Sequence, residues 1–283
     1  MMLLQQPDIG GMILAHTADS HVLEFDFRFL GLGLREIDLP TGWYLLGIDV
    51  SPTKHVVYMA FAALLVFLTL WWGGRQVARR HREGKAPSGF GGTVEAMVLF
   101  VRNDVAIANI GHGGEKFAPL ILTLFFFILY CNLLGLLPWG ATPTGNLAVT
   151  GALALTAFVT IEVSGLRALG PKGYLKTIVF VPPGMTGLGA VAMALIMTPI
   201  EIIGKLVKPF ALTLRLFANM TAGHFVILAL LGLIFIFGSW AVAAGAVAFV
   251  TFMMLLELLV AFLQAYIFAL LTSVFIGMMQ HAH

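Results

Sequence analysis

From residue 225 to residue 256 the chain contains no Asp, Glu, Lys or Arg, and apolar sequence continues on both sides, from 178 to 279, with few interruptions. Such a stretch has no polar face to turn toward water. In lipid every backbone N–H and C=O must be satisfied within the protein, so a stretch like this is helix. Composition extends the argument to the whole chain. Of 283 residues 59% are hydrophobic and 11% charged, against about 25% charged in soluble domains. An all-α polytopic membrane protein is expected. The net charge of +2 is too small to point to nucleic acid, and the single Cys131 excludes an internal disulfide framework. The start, MMLLQQPDIGGMILAH, lacks the basic segment and long apolar core of a secretory signal, so the first spanning helix is expected to direct insertion.

Residues 1–52 hold seven of the 14 acids, Asp8, Asp19, Glu24, Asp26, Glu36, Asp38 and Asp49, and read as an extramembrane arm. Residues 53–283 read as one membrane domain. Its first span, 56–72, ends in a Trp pair. The basic stretch RQVARRHREGK follows and reads as a cytoplasmic loop, which puts the arm outside. Residues 93–112 read as an amphipathic helix at the interface, with Glu95, Arg102 and Asn109 on one polar stripe. Spans at 117–137 and 146–166 are joined by the uncharged PWGATPTG, the first ending at Leu137-Pro138-Trp139-Gly140. The second leads into RALGPKGYLK, again basic and again on the cytoplasmic side, so charge bias and span count agree. Then come two apolar runs, 188–236 and 240–279, after a break at Pro182-Pro183. A span needs about 20 residues, so these runs bend or tilt, and the length of apolar surface predicts a partner along them. Three spans, one interfacial helix and two long tilted helices make up the expected fold.

The longer run from 188 carries the polar residues that matter most. At about 100° per residue, Glu201, Lys205, Lys208, Arg215 and Asn219 fall in one stripe, with Pro209 expected to kink the helix near Lys205. His224 lies half a turn away from Arg215. Glu257 and Gln264, seven residues apart, share a face of the last helix. An antiparallel hairpin about Gly238 would bring His224 near the depth of Glu257 and Arg215 near that of Gln264. Arg215 costs about 2.5–3.5 kcal/mol at mid-membrane on insertion scales, and it cannot give up its proton. It is a fixed positive field. His224 and Glu257 can exchange protons. Together they suit moving protons while blocking a straight leak. The blander readings stand beside this one. Lys205, Lys208 and Glu201 also read as residues snorkelling to the interface, Glu162 as interfacial, and Asn219 and Gln264 as links between helices. Asn132 and Asn146 flank the uncharged loop, lining a wet entrance or capping helices. No HExxH motif and no spaced His cluster, His281 and His283 included, supports a membrane metalloenzyme. A stand-alone ion-coupled transporter is the alternative function. A scaffold would leave Arg215 without a purpose.

At these residues the chain resembles subunit a of the rotary F-type ATP synthase. LTLRLFANMTAGH at 212–224 and LLELLVAFLQAYIFALLTSVFI at 255–276 carry the resemblance, with VRNDVAIANIGHGGEKFAPLILTLF at 101–125, FFFILYCNLLGLLP at 125–138 and PTGNLAVT at 143–150. It covers roughly 93–280. The resemblance implies a non-catalytic subunit of a bacterial plasma membrane protein complex, with its N-terminus outside and its C-terminus cytoplasmic. The hairpin over 188–279 would hug a ring of c subunits, each with a buried carboxylate, and b-type stalk subunits would complete the membrane sector. Arg215 matches the arginine that separates two half-channels, and Asn219 and Gln264 match polar residues near it. His224 and Glu257 match the pair lining the external half-channel, with acid and His exchanged relative to some members. Glu201 matches an acidic position of the inner half-channel. Asn132 and Asn146 match polar positions near the outer entrance. At Gly135 some relatives carry an acid that this chain lacks. No cofactor or metal is implied.

Overall fold

Six helices account for most of the chain in a computed structural model that describes residues 19–26, 34–45, 48–49, 51–86, 88–137, 140–179 and 187–281. In chain order they are α1 (Lys54–Arg82), α2 (Gly89–Leu99), α3 (Ala118–Gly135), α4 (Leu147–Ile178), α5 (Leu188–Phe237) and α6 (Trp240–Gln280). All but α2 are long and apolar enough to cross a membrane. The Pro138-Trp139 end of the second span, the Pro182-Pro183 break, His283 and much of the arm, Asp8 included, lie outside the described residues.

Three differences from the sequence reading have physical causes. The stretch after the first span is helix, not loop, through Arg82. Arg, Gln and Ala are good helix formers, and Arg79, Arg80, His81 and Arg82 fill the last turn, where cations meet the negative end of the helix dipole. Helix α4 likewise runs past Leu166 to Ile178. It bends at Gly170 (φ 69°, ψ 171°), and Pro171 opens the final piece, a position where its missing N–H costs nothing. The 93–112 segment starts at Gly89 and widens into a π-helix over Phe100–Ile107 before a last helical turn, Ala108–Ile110. Asn109 Nδ2 donates to the carbonyl of Val105 at 2.8 Å, within the widened turns. The wider turn changes the angular step, so Glu95, Arg102 and Asn109 are all half-buried while Val101, Val105, Ala106 and Ile110 are buried. In addition, α5 holds Pro199 and Pro209 inside one uninterrupted helix; Thr213 Oγ1 donates to the Pro209 carbonyl at 3.0 Å.

The arm contains β-structure that the sequence reading lacked. Strands β1 (Val22–Asp26) and β2 (Leu34–Asp38) pair antiparallel, with Val22 opposite Asp38. Strands β3 (Tyr44–Leu45) and β4 (Ile48–Asp49) form a second short pair.

The chain divides into two units, each with its own packing. The first comprises Met1–Val66, Phe127–Asn146 and Leu216–Gln264. Its centre joins Tyr58 and Ala62 of α1 to Cys131 and Leu134 of α3 and to Ala141. The arm is fastened there: the Lys54 N–H donates to Ser20 O at 2.8 Å, and His21 Nδ1 lies 3.1 Å from Pro52 O. The second comprises Phe67–Phe126, Leu147–Arg215 and Ala265–His283. Here Gly277 lets α6 approach the backbone of Asn109, since a Cβ would run into its carbonyl. Lipid is as apolar as Leu, so such close packing, not water exclusion, holds spanning helices together.

Candidate functional site

The polar residues of the first unit converge on the short turn between α3 and α4. Three of its residues reach three different partners. Thr142 Oγ1 lies 2.5 Å from His224 Nε2. Thr144 Oγ1 donates to Asn132 Oδ1 at 2.6 Å, and Asn132 Nδ2 donates to the Ala261 carbonyl at 3.2 Å. Asn146 Nδ2 donates to Asp19 Oδ2 at 3.3 Å. A 3-10 turn, Pro143–Gly145, holds these side chains, with Pro143 fixing φ at its first position. Asn132 and Thr144 are fully buried, so each hydrogen bond offsets the cost of taking a polar group out of water.

Glu257 is only 6% exposed. Its carboxylate lies against Gly223, where any Cβ would overlap it. The absence of a side chain at 223 is therefore what admits the acid beside the His224 backbone. Glu257 Oε1 and the neighbouring hydroxyl of Thr221 are buried with no hydrogen-bond partner among the described residues. An ionised carboxylate so placed is costly unless a donor or a proton reaches it. At Gly135 a Cβ would collide with Thr142. The Thr142 side chain fills that space.

Arg215 is exposed on α5, and Asn219 is exposed one turn on. On the Arg215 face of α5 the small residues Gly204 and Ala211 are exposed; elsewhere on the helix Leu206 is 55%, Phe210 61% and Leu214 40% exposed, whereas Leu212 and Leu216 are buried. Gln264 of α6 is buried. Arg215 belongs to the second unit, and Asn219, His224, Glu257 and Gln264 to the first.

The second unit has a polar cluster of its own, which the sequence reading did not assemble. Lys205 Nζ reaches Glu162 Oε2 at 3.4 Å and Thr177 Oγ1 at 3.2 Å, and lies 4.7 Å from the centre of the Tyr174 ring. The Tyr174 hydroxyl donates to the same Glu162 oxygen. The bend at Gly170 sets the last turns of α4, with Tyr174 and Thr177, where Lys205 can reach them. Glu162 and Lys205 side chains are 17% and 10% exposed, so the pair is sheltered, and Lys205 turns to Glu162 instead of pairing with Glu201 along its own helix. A cavity of about 150 Å³ is lined by Glu162, Glu201, Lys205 and Lys208 on its polar side and by Phe275 and Met279 on its apolar side.

The structure thus brings Asn132, His224 and Glu257 into one unit with Thr142, Thr144 and Thr221, which sequence reasoning missed. Threonine is common in spans and carries no periodic signal, so only the fold could single these out. Among the described residues no three of His, Cys, Asp and Glu converge as metal ligands.

The model of the family "ATP synthase A chain" matches residues 56–277. ATP synthase subunit a of Chloroherpeton thalassium is 48% identical over 264 residues, 93% of this chain and 74% of that protein. Subunit a of Myxococcus xanthus is 52% identical over 242 residues, 83% of this chain and 76% of that protein. ATP synthase subunit a 2 of Chlorobaculum tepidum is 47% identical over 270 residues, 95% of this chain and 72% of that protein.

Proposed function

The chain belongs to the ATP synthase A chain family, and from that membership we propose that it is the static, non-catalytic proton-translocating subunit of a bacterial ATP synthase. It works in the plasma membrane with the arm outside and the C-terminus in the cytoplasm. It passes protons to and from the carboxylates of a c-ring, with b-type stalk subunits holding it still. The observation that carries this reading is Arg215, a permanent cation exposed midway along the long apolar helix α5. A guanidinium cannot give up its proton, and its positive field favours the ionised form of any carboxylate brought beside it.

A proton enters from outside past Asn146 and Asn132, reaches His224 and Glu257, and passes to a c-ring carboxylate as that carboxylate leaves Arg215. The Thr142 contact supports this route, because it hydrogen-bonds His224 directly. The neutral carboxyl then travels round the ring through lipid. Returning on the other side, it meets the Arg215 field, which favours the ionised form, and the proton leaves past Glu201. A membrane potential adds about 2.3 kcal/mol per elementary charge per 100 mV.

The test is ATP-driven acidification of inverted membrane vesicles carrying the assembled complex, wild type against Arg215→Ala. Pumping lost in the variant, while ATP hydrolysis persists uncoupled, supports the reading. Pumping retained at the wild-type rate sinks it and revives the alternative of a transporter acting without partners.

A further inference from the structure

Asp19 joins three parts of the first unit through one carboxylate. Oδ1 accepts from the Ser20 N–H at 3.1 Å and from the His55 N–H at 3.4 Å, at the start of α1. Oδ2 accepts from Asn146 at the end of the turn. His55 Nδ1 lies 2.8 Å from Oδ1, close enough for an ion pair when the imidazole is charged, although off the direction of a hydrogen bond. The exposures differ: the Asp19 side chain is 31% exposed and that of His55 only 5%. One member of the pair meets water and the other is shut in behind it. One turn further along α1, the Tyr58 hydroxyl is hydrogen-bonded to the backbone of Ala141, beside Thr142. The arm and α1 therefore each touch the turn, Asp19 through Asn146 and Tyr58 through Ala141, and the turn is the segment that reaches His224.

We infer that Asp19 and His55 form the outer proton-collecting pair of this chain, delivering protons to the 142–146 turn and through it to His224. This rests on the reading of the chain as the proton-translocating subunit. The chemistry is a proton transfer only. Water at the mouth gives a proton to the pair, the imidazole carries it as a cation balanced by the Asp19 carboxylate, and the proton leaves toward the turn, which restores the neutral ring. Imidazole is the side chain whose ordinary titration falls near neutral pH, and a carboxylate at a narrow mouth concentrates cations there. Among the described residues, the other titratable or charged groups near His55 are Lys54 and Tyr58 on α1. His21, from the arm, is turned to the Pro52 carbonyl.

The experiment is ATP synthesis by inverted vesicles, whose lumen bathes the outer face, at fixed membrane potential and varied lumenal pH, normalised to assembled complex. His55→Gln and Asp19→Asn should each lower the rate about tenfold on the alkaline side and leave the acidic side near wild type, where protons are plentiful. Asp19→Glu, which keeps the charge, should restore the profile. An unchanged profile in both variants overturns the inference. So does failure of both to assemble, which would make the pair a clamp that holds the arm. Arg215→Ala in the same vesicles separates the two levels. If it remains coupled, the underlying reading has failed; if it is uncoupled while both outer variants keep the wild-type profile, only the collecting pair has failed.

Discussion

The two polar clusters of this chain hold a sheltered glutamate each and treat it in opposite ways. Glu162, in the second unit, is met by the Lys205 ammonium and by the Tyr174 hydroxyl, and Lys205 is itself held by Thr177 and the Tyr174 ring. Its charge is balanced on the spot. Glu257, in the first unit, sits against a glycine with one oxygen lacking a partner among the described residues, near neutral links of the kind Thr142–His224 and Thr144–Asn132. A balanced pair fastens helices together. An unbalanced acid beside an imidazole has something to gain from a passing proton. On the proposed function, transport falls to the Glu257 arrangement and cohesion to the Glu162 pair.

That contrast can be broken, starting where the effect is largest. Glu257→Gln removes the carboxyl that lies against Gly223 and should cut proton flux about 100-fold, the scale of one lost acid–base group; flux in vesicles near the wild-type level would dissolve the distinction. Gly223→Ala leaves every titratable group in place but pushes the Glu257 side chain away, so flux should fall about tenfold, with the complex still assembled. Thr142→Val removes the hydroxyl on His224 and should cost about threefold in flux, the worth of one net hydrogen bond. Glu162→Gln should leave flux per assembled complex close to wild type. It leaves Lys205 sheltered without its counter-charge and should cost about 1–3 kcal/mol in stability, read as a lower denaturation temperature of the detergent-solubilised complex. Pairing it with Lys205→Met should recover that stability. A loss of flux from Glu162→Gln as deep as that from Glu257→Gln would place both acids on the proton path.

Sequence reasoning reached the two longest helices almost to the residue, as 188–236 and 240–279 against Leu188–Phe237 and Trp240–Gln280. Charge-free sequence has one structural solution in lipid, and Gly238, at φ 55°, marks the turn between them. Where charge was dense, the same reasoning stopped too soon. It read the arginines after the first span as loop, although they form the last turn of α1. It also gave no strands in the arm. Of the site, Arg215, His224 and Glu257 stood out because ionisable residues are rare in such sequence. Their settings did not. Thr142 is 82 residues from His224 in the chain, and Glu162 is 43 from Lys205. No local period connects residues that far apart. The swap of His and acid relative to some family members was visible at once, but the glycine that makes room for Glu257 took on meaning only when the helices were packed.

The central claim is that the Arg215 side of α5 works against a moving carboxylate-bearing partner. Cysteine cross-linking in the assembled complex tests it most directly. Single cysteines at Gly204, Ala211 and Ala218, all exposed on the Arg215 side of α5, would be compared with cysteines at the buried Leu212 and Leu216; the single native thiol, Cys131, is buried. The account predicts cross-links from the exposed set to the ring helix that carries the carboxylate, and none from the buried pair. Cross-links confined to the buried pair, or exposed positions that never meet the ring, would contradict it.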